Sequence, residues 1–119
     1  MAAYLQPDFV ALKADGALSA FLFVKLGSDA DHVTNVGAGG LALGINMNAS
    51  SAAEDVLEVA YSEAGKLKLA GTVAAGGQIA SDAAGKGVAA TTGDYVNAQA
   101  LEAGVAGDII SVKQVNYKI

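Results

Sequence analysis

The chain has 119 residues, 12 acidic against 7 basic, with a formal net charge of -5 and a pI near 4.5. That length suits one domain and is too short for a multi-domain enzyme. All seven basic residues are Lys and there is no Cys, which excludes a disulfide framework, a thiolate zinc site and a thiol nucleophile, and makes nucleic acid an unexpected partner for an acidic chain without Arg.

Of the hydrophobic residues, 26 are Ala, so the expected core is adequate but thin, and help from partner subunits fits it. The N-terminal stretch carries Tyr4, Leu5 and Pro7 without periodicity or a basic side chain. Pro7 biases Gln6 toward an extended conformation, and residues 1–8 read as an arm ahead of a single β-rich domain over residues 9–119. Without a basic start there is no secretory signal, and the chain is expected to be unprocessed and soluble.

Residues 9–13 and 18–26 read as strands, joined by Asp15-Gly16 as a tight hairpin turn. The second run is apolar on both faces around Phe21 and Phe23, which predicts burial against a partner or a strand covered on both sides within one monomer. It is far short of the roughly 20 residues a membrane-spanning helix needs, so no membrane is expected. Residues 37–40 are a Gly-rich turn into a strand in which Leu41, Leu43, Ile45 and Met47 share one face. Residues 54–61 read as a strand with Glu58 facing away from Leu57 and Val59, with a short helix over 51–60 as the alternative.

From Gly65 onward the chain becomes a series of turns, each followed by a short strand. Lys66-Leu67-Lys68-Leu69 alternates as a half-exposed strand does. Gly76-Gly77-Gln78-Ile79, Gly93-Asp94-Tyr95-Val96 and Gly107-Asp108-Ile109-Ile110 repeat the pattern. Fifteen Gly and one Pro spread in this way predict an all-β fold, a small barrel or sandwich of short strands whose edges are closed or paired.

The chemistry-bearing motifs are weak. The Gly-rich turn at 37–40 lacks the Gly-Lys-Ser/Thr ending of a phosphate loop and precedes a strand, so it reads as a plain turn. His32, the only imidazole, lies in Asp29-Ala30-Asp31-His32; extended geometry would set both carboxylates on one face and His32 on the other, and solvated surface is the expected role. Glu54, Asp55, Glu58 and Glu63 read as an exposed acidic face, not a glycosidase pair, because no Trp and few Tyr supply a sugar platform. No catalytic residue, cofactor or metal is expected, and the chain is not read as an enzyme. Lys86 in Ala84-Gly85-Lys86-Gly87 invites a carrier-barrel reading but lacks the flanking residue typical of such carriers.

Residues 24–112 resemble the capsid cement, or head decoration, protein family of tailed bacteriophages. The resemblance is carried by Val24-Lys25-Leu26, Gly40-Leu41-Ala42-Leu43-Gly44-Ile45, Gly65-Lys66-Leu67-Lys68-Leu69, Ile79-Ala80-Ser81-Asp82-Ala83-Ala84-Gly85-Lys86-Gly87-Val88-Ala89-Ala90 and Ala98-Gln99-Ala100-Leu101-Glu102-Ala103-Gly104-Val105-Ala106-Gly107-Asp108-Ile109-Ile110-Ser111-Val112. Members often have Gly shortly before the Ala-Leu-Glu-Ala segment, where this chain has Asn97-Ala98-Gln99. The resemblance implies a structural virion protein on the outer surface of the capsid, made in the host cytoplasm, that stabilises the head by bridging major capsid protein subunits. It also implies self-association, as a homotrimer first and a dimer second. Together with the apolar residues around Pro7 it makes Tyr4, Leu5, Pro7 and Phe9 capsid-contact candidates, and the doubly apolar run makes Phe21 and Phe23 subunit-interface candidates. The rival reading is a carbohydrate-binding or adhesive β-module without catalysis, whose stacking face four Tyr and no Trp hardly supply.

Overall fold

The computed structural model describes residues 9–27, 29–61 and 64–119, and every regular element among them is a β-strand. The first half of the chain forms β1 (Phe9–Ala14), β2 (Phe23–Leu26), β3 (His32–Asn35), β4 (Gly44–Asn46) and β5 (Val56–Ala60), closed into a barrel in the order β1-β3-β2-β4-β5. Closure removes both sheet edges, which suits strands of three to six residues that are marginal alone. Leu12, Ala14, Val24, Val33, Leu57 and Val59 fill its interior. Along β5 the alternation is as expected, with Leu57 and Val59 buried and Val56 and Glu58 exposed.

The second half forms β6 (Ala64–Lys68), β7 (Gln78–Ser81), β8 (Gly87–Ala89), β9 (Tyr95–Ala100) and β10 (Ile109–Lys118), paired in the order β6-β10-β9-β7-β8. A parallel bridge between Leu69 and Gly87, with the Ala70 N–H donating to the Gly87 carbonyl at 2.8 Å, brings β8 back beside the chain that leaves β6. The sheet therefore curls around its own inner face. One residue's slip in the β10–β9 register between Gln114 and Tyr117 marks a bulge that adds to this curvature.

The turns of this half explain its sequence rhythm. In residues 74–77, 91–94 and 105–108 the fourth N–H donates to the first carbonyl at 2.9 to 3.0 Å, and the third residue is a Gly at φ of +80° to +97°. That is the type II signature, and it requires Gly at the third position. Asp94 and Asp108 then fold back to accept the Thr91 and Val105 N–H groups at 2.9 Å. Residues 37–40, with Gly39 at φ +69°, repeat the turn in the barrel half.

A second core joins the two halves. Phe23, Val36, Ala42 and Ile45 from the barrel pack with Leu67, Leu69, Val73, Ile79, Ala98, Ala100, Ile110 and Val112. Each large side chain so buried contributes about 1.5–3 kcal/mol. Successive residues of β2 serve different cores, Phe23 outward against the sheet and Val24 into the barrel. At Phe23 and Val24 both faces of the strand are thus covered within one chain, while Lys25 and Leu26 at its end are exposed.

Three local expectations are corrected. Asp15-Gly16 does not make a hairpin: β1 pairs with β3 in parallel and with β5 antiparallel, and Ser50 Oγ donates to the Gly16 carbonyl at 2.8 Å. The run over 18–26 is a strand only in β2, because Phe21 adopts φ +65° and breaks the extended line. The strand expected from Leu41 shortens to β4, with Leu41 and Leu43 48% and 38% exposed and Ala42 buried between them. The Ala42 N–H donates to Asn97 Oδ1 at 3.0 Å, which turns this residue inward. The helical alternative over 51–60 is realised as a turn and β5.

Candidate interaction surfaces

The proposed contact residues fall in different places. Tyr4, Leu5 and Pro7 lie outside the described residues. Phe9 opens β1 opposite Ala60. Phe23 is 0% exposed and a core residue, so it has no surface left for a subunit interface. Phe21 is half-buried and tied on both sides, its N–H donating to the Asn46 carbonyl at 2.7 Å and its carbonyl accepting from Lys68 N–H at 2.8 Å.

Asn46 is a residue that sequence reasoning did not single out. It is fully buried on β4 and its amide serves three backbone groups: Oδ1 accepts from Leu22 N–H at 2.9 Å, and Nδ2 donates to the Ser19 and Asn48 carbonyls at 2.7 and 3.1 Å. This hub satisfies the irregular segment between β1 and β2, whose backbone no neighbouring strand pairs throughout. Asn97 does the same across the junction, accepting from Ala42 N–H and donating to the Gly40 carbonyl at 2.9 Å. An Asn flanked by apolar strand residues is the signal that marks both, although the sequence does not say which backbone it will serve.

His32 is engaged, not free surface. Its Nδ1–H donates to the Ala30 carbonyl at 2.9 Å and its Nε2 lies 2.7 Å from Glu54 Oε1, while Lys13 Nζ stands 3.7 Å from Glu54 Oε2. Acceptors at both ring nitrogens favour the imidazolium. The hydrogen bond to Ala30 and then that to Glu54 raise the His32 pKa, and the bond from His32 lowers that of Glu54. Asp55 is likewise lowered, chiefly by the Ser51 N–H, then by the Ser51 hydroxyl and the Ala52 N–H. The cluster clips the turn before β3 to the loop before β5, with Asp31 and Glu54 held at φ +62° and +74°.

The loop before Lys86 is pinned, not displayed. Asp82 Oδ1 accepts from the Ala84 and Lys86 N–H groups at 2.8 Å, and the Gly85 carbonyl accepts from Phe23 N–H at 2.8 Å. The β7–β8 turn is therefore docked onto β2, which joins the two halves by backbone as well as by core.

Two apolar surface features stand out. Leu26, Leu41 and Leu43 adjoin around Lys25, with Leu26 58% exposed, because the Leu43 N–H donates to the Val24 carbonyl at 2.8 Å. A cleft of about 360 Å³ is bounded by Met47, Gly65, Lys66, Leu101 and Val112.

No protein-family model matches the chain, and no curated protein sequence matches it. Among solved structures it is similar to the N base of head fiber gp8.5 of bacteriophage phi29, with a TM-score of 0.79 and 10% identity, over 96% of this chain and 98% of that one. The shared fold extends through both the barrel and the second sheet.

Proposed function

We propose that this chain is a structural protein of a bacteriophage virion that attaches to the outer surface of the head and strengthens it by bridging major capsid protein subunits. The observation that carries the reading is the end-to-end similarity of fold to the N base of a phage head fiber. The motif blocks over residues 24–112, which resemble head decoration proteins, support it independently. No catalytic step, cofactor or metal is assigned. Copies act together: a molecule that spans several subunits adds interfaces that must break before they separate, and multivalency multiplies the effect. Self-association as a homotrimer, with a dimer as second choice, belongs to the same reading.

The contact element assigned is the N-terminal segment with Tyr4, Leu5, Pro7 and Phe9. The apolar surface at Leu26, Leu41 and Leu43 supplies further contact area on the barrel. The test is co-sedimentation of the purified protein with undecorated heads, scored for saturable stoichiometry and for resistance of the heads to heat. Saturable binding with stabilisation is expected, and removal of residues 1–8 is expected to abolish binding while the circular dichroism spectrum stays that of a β protein. Absence of binding by the full chain overturns the reading and makes a glycan screen for an adhesive module the next experiment; unchanged binding after the deletion overturns the role of the arm alone.

A further inference from the structure

The two halves of the chain divide its charge unevenly. Residues 1–63 hold eight acidic side chains and two lysines, a formal -6, whereas residues 64–119 hold four acidic side chains and five lysines, a formal +1. Three of those five lysines share one side of the second sheet. Leu67 and Val112 point into the core at 0% exposure, so by alternation Lys66 and Lys68 on β6 and Lys113 on β10 face outward. Lys66 pairs opposite Ser111, Lys68 opposite Ile109 and Lys113 opposite Ala64, which makes Lys66 and Lys113 diagonal neighbours.

None of the three is in an ion pair among the described residues. Lys66 Nζ donates to Ser111 Oγ at 2.7 Å, and the acidic side chain on this side, Glu102, is taken by the Ser111 N–H at 2.9 Å. The apolar cleft opens beside Lys66, and Ile109, 48% exposed, lies opposite Lys68. Gathered like charges repel in the free molecule, and a partner of opposite sign relieves that cost. A charged rim around an apolar centre is also the usual anatomy of a protein interface.

We infer that this lysine face docks the barrel half of a second copy of the chain. The complementary surface is on the same molecule: in the turn between β2 and β3, Asp29 and Asp31 are exposed and in no ion pair among the described residues, whereas Glu54 is already engaged by His32 and Lys13. The contact joins two different surfaces, so each added copy offers another free face until a ring closes. It deepens the self-association of the proposed reading and requires nothing of head attachment.

The test is sedimentation velocity of the full chain without heads, at about 20 mM and about 500 mM salt, because Debye screening separates charge-driven from apolar association. The wild type is expected to associate at low salt and dissociate at high salt. Lys66→Glu with Lys113→Glu is expected to weaken association about tenfold or more, as is Asp29→Lys with Asp31→Lys. Combining all four substitutions restores it, since each surface has then taken the other's sign. Lys86→Glu with Lys118→Glu changes net charge equally and is expected to leave association intact, and circular dichroism confirms folding of each variant.

The inference is overturned if the wild type sediments as an 11.7 kDa monomer at low salt, if the control pair weakens association as much as the lysine-face pair, or if the fourfold variant stays monomeric. Co-sedimentation with heads separates the two readings. A chain that associates as described and ignores heads breaks only the proposed attachment.

Discussion

The barrel half and the sheet half are built from the same kind of strand but solve their irregular backbone differently. Phe21, Asp31 and Glu54, all in the barrel half, are the non-glycine residues with positive φ among those described, whereas Gly76, Gly85, Gly93 and Gly107 hold every such position in the sheet half. A left-handed conformation costs a side-chain-bearing residue about 1–2 kcal/mol and costs glycine nothing. The sheet half therefore folds by local turn chemistry, while the barrel half holds strained positions by contacts made across the molecule, such as the Asn46 hub and the His32–Glu54–Lys13 cluster. Local rules describe one half of this chain well and the other poorly.

The strongest way to break the comparison is to remove the side chain the halves share. Phe23→Ala is expected to cost about 3–5 kcal/mol, seen as a lower denaturant midpoint, because it opens a cavity between barrel and sheet. If the halves are one cooperative unit, fluorescence and circular dichroism shift together; two separate transitions would show that the shared core does not couple them. Asn46→Ala sharpens the contrast, with an expected loss on the order of 3 kcal/mol from orphaned backbone groups around Ser19, Leu22 and Asn48. Asn97→Ala, which frees two backbone groups, is expected to cost less in the same titration.

Gly85→Ala tests the backbone link. The added Cβ would stand 2.8 Å from the Phe23 carbonyl oxygen, at φ +85°, and a loss of about 1–3 kcal/mol is expected from the combined strain and displaced turn. Amide exchange at Phe23 reads it directly, since its N–H bond to the Gly85 carbonyl protects it.

The smallest effect is pH-dependent. His32, raised above 6.5, contributes stability that is fully present below that value and lost as pH rises through its raised folded pKa. Glu54, lowered from 4.5, contributes stability present above that value and lost as pH falls through its lowered folded pKa. Denaturant midpoints should thus show a shallow fall on both sides of the interval between them. His32→Ala should remove the alkaline fall and leave head binding unchanged.

Much of the sheet half was readable in advance. Its type II turns place Gly and Asp at set positions, so Gly93-Asp94 and Gly107-Asp108 announced the strands that follow, and Lys66-Leu67-Lys68-Leu69 announced its buried face. The barrel half misled at Asp15-Gly16, where closure of β1 against β3 and β5 outweighed a good local turn. At Leu41 and Leu43 a regular apolar alternation ended on the surface, because the Asn97 amide fixed Ala42 inward. Phe23 carried the signature of an interface and packs in an internal one.

The all-β class, the turn positions of the second half and the acidic, lysine-only charge are legible in the residues alone, since each follows from residues within four or five positions of one another or from composition. Tertiary structure alone decided the parallel β1–β3 pair, the burial of Asn46 and the gathering of Lys66, Lys68 and Lys113 on one face. Those outcomes depend on which distant strand covers which side. A period of two tells that a strand has two faces, and only packing tells what each face meets.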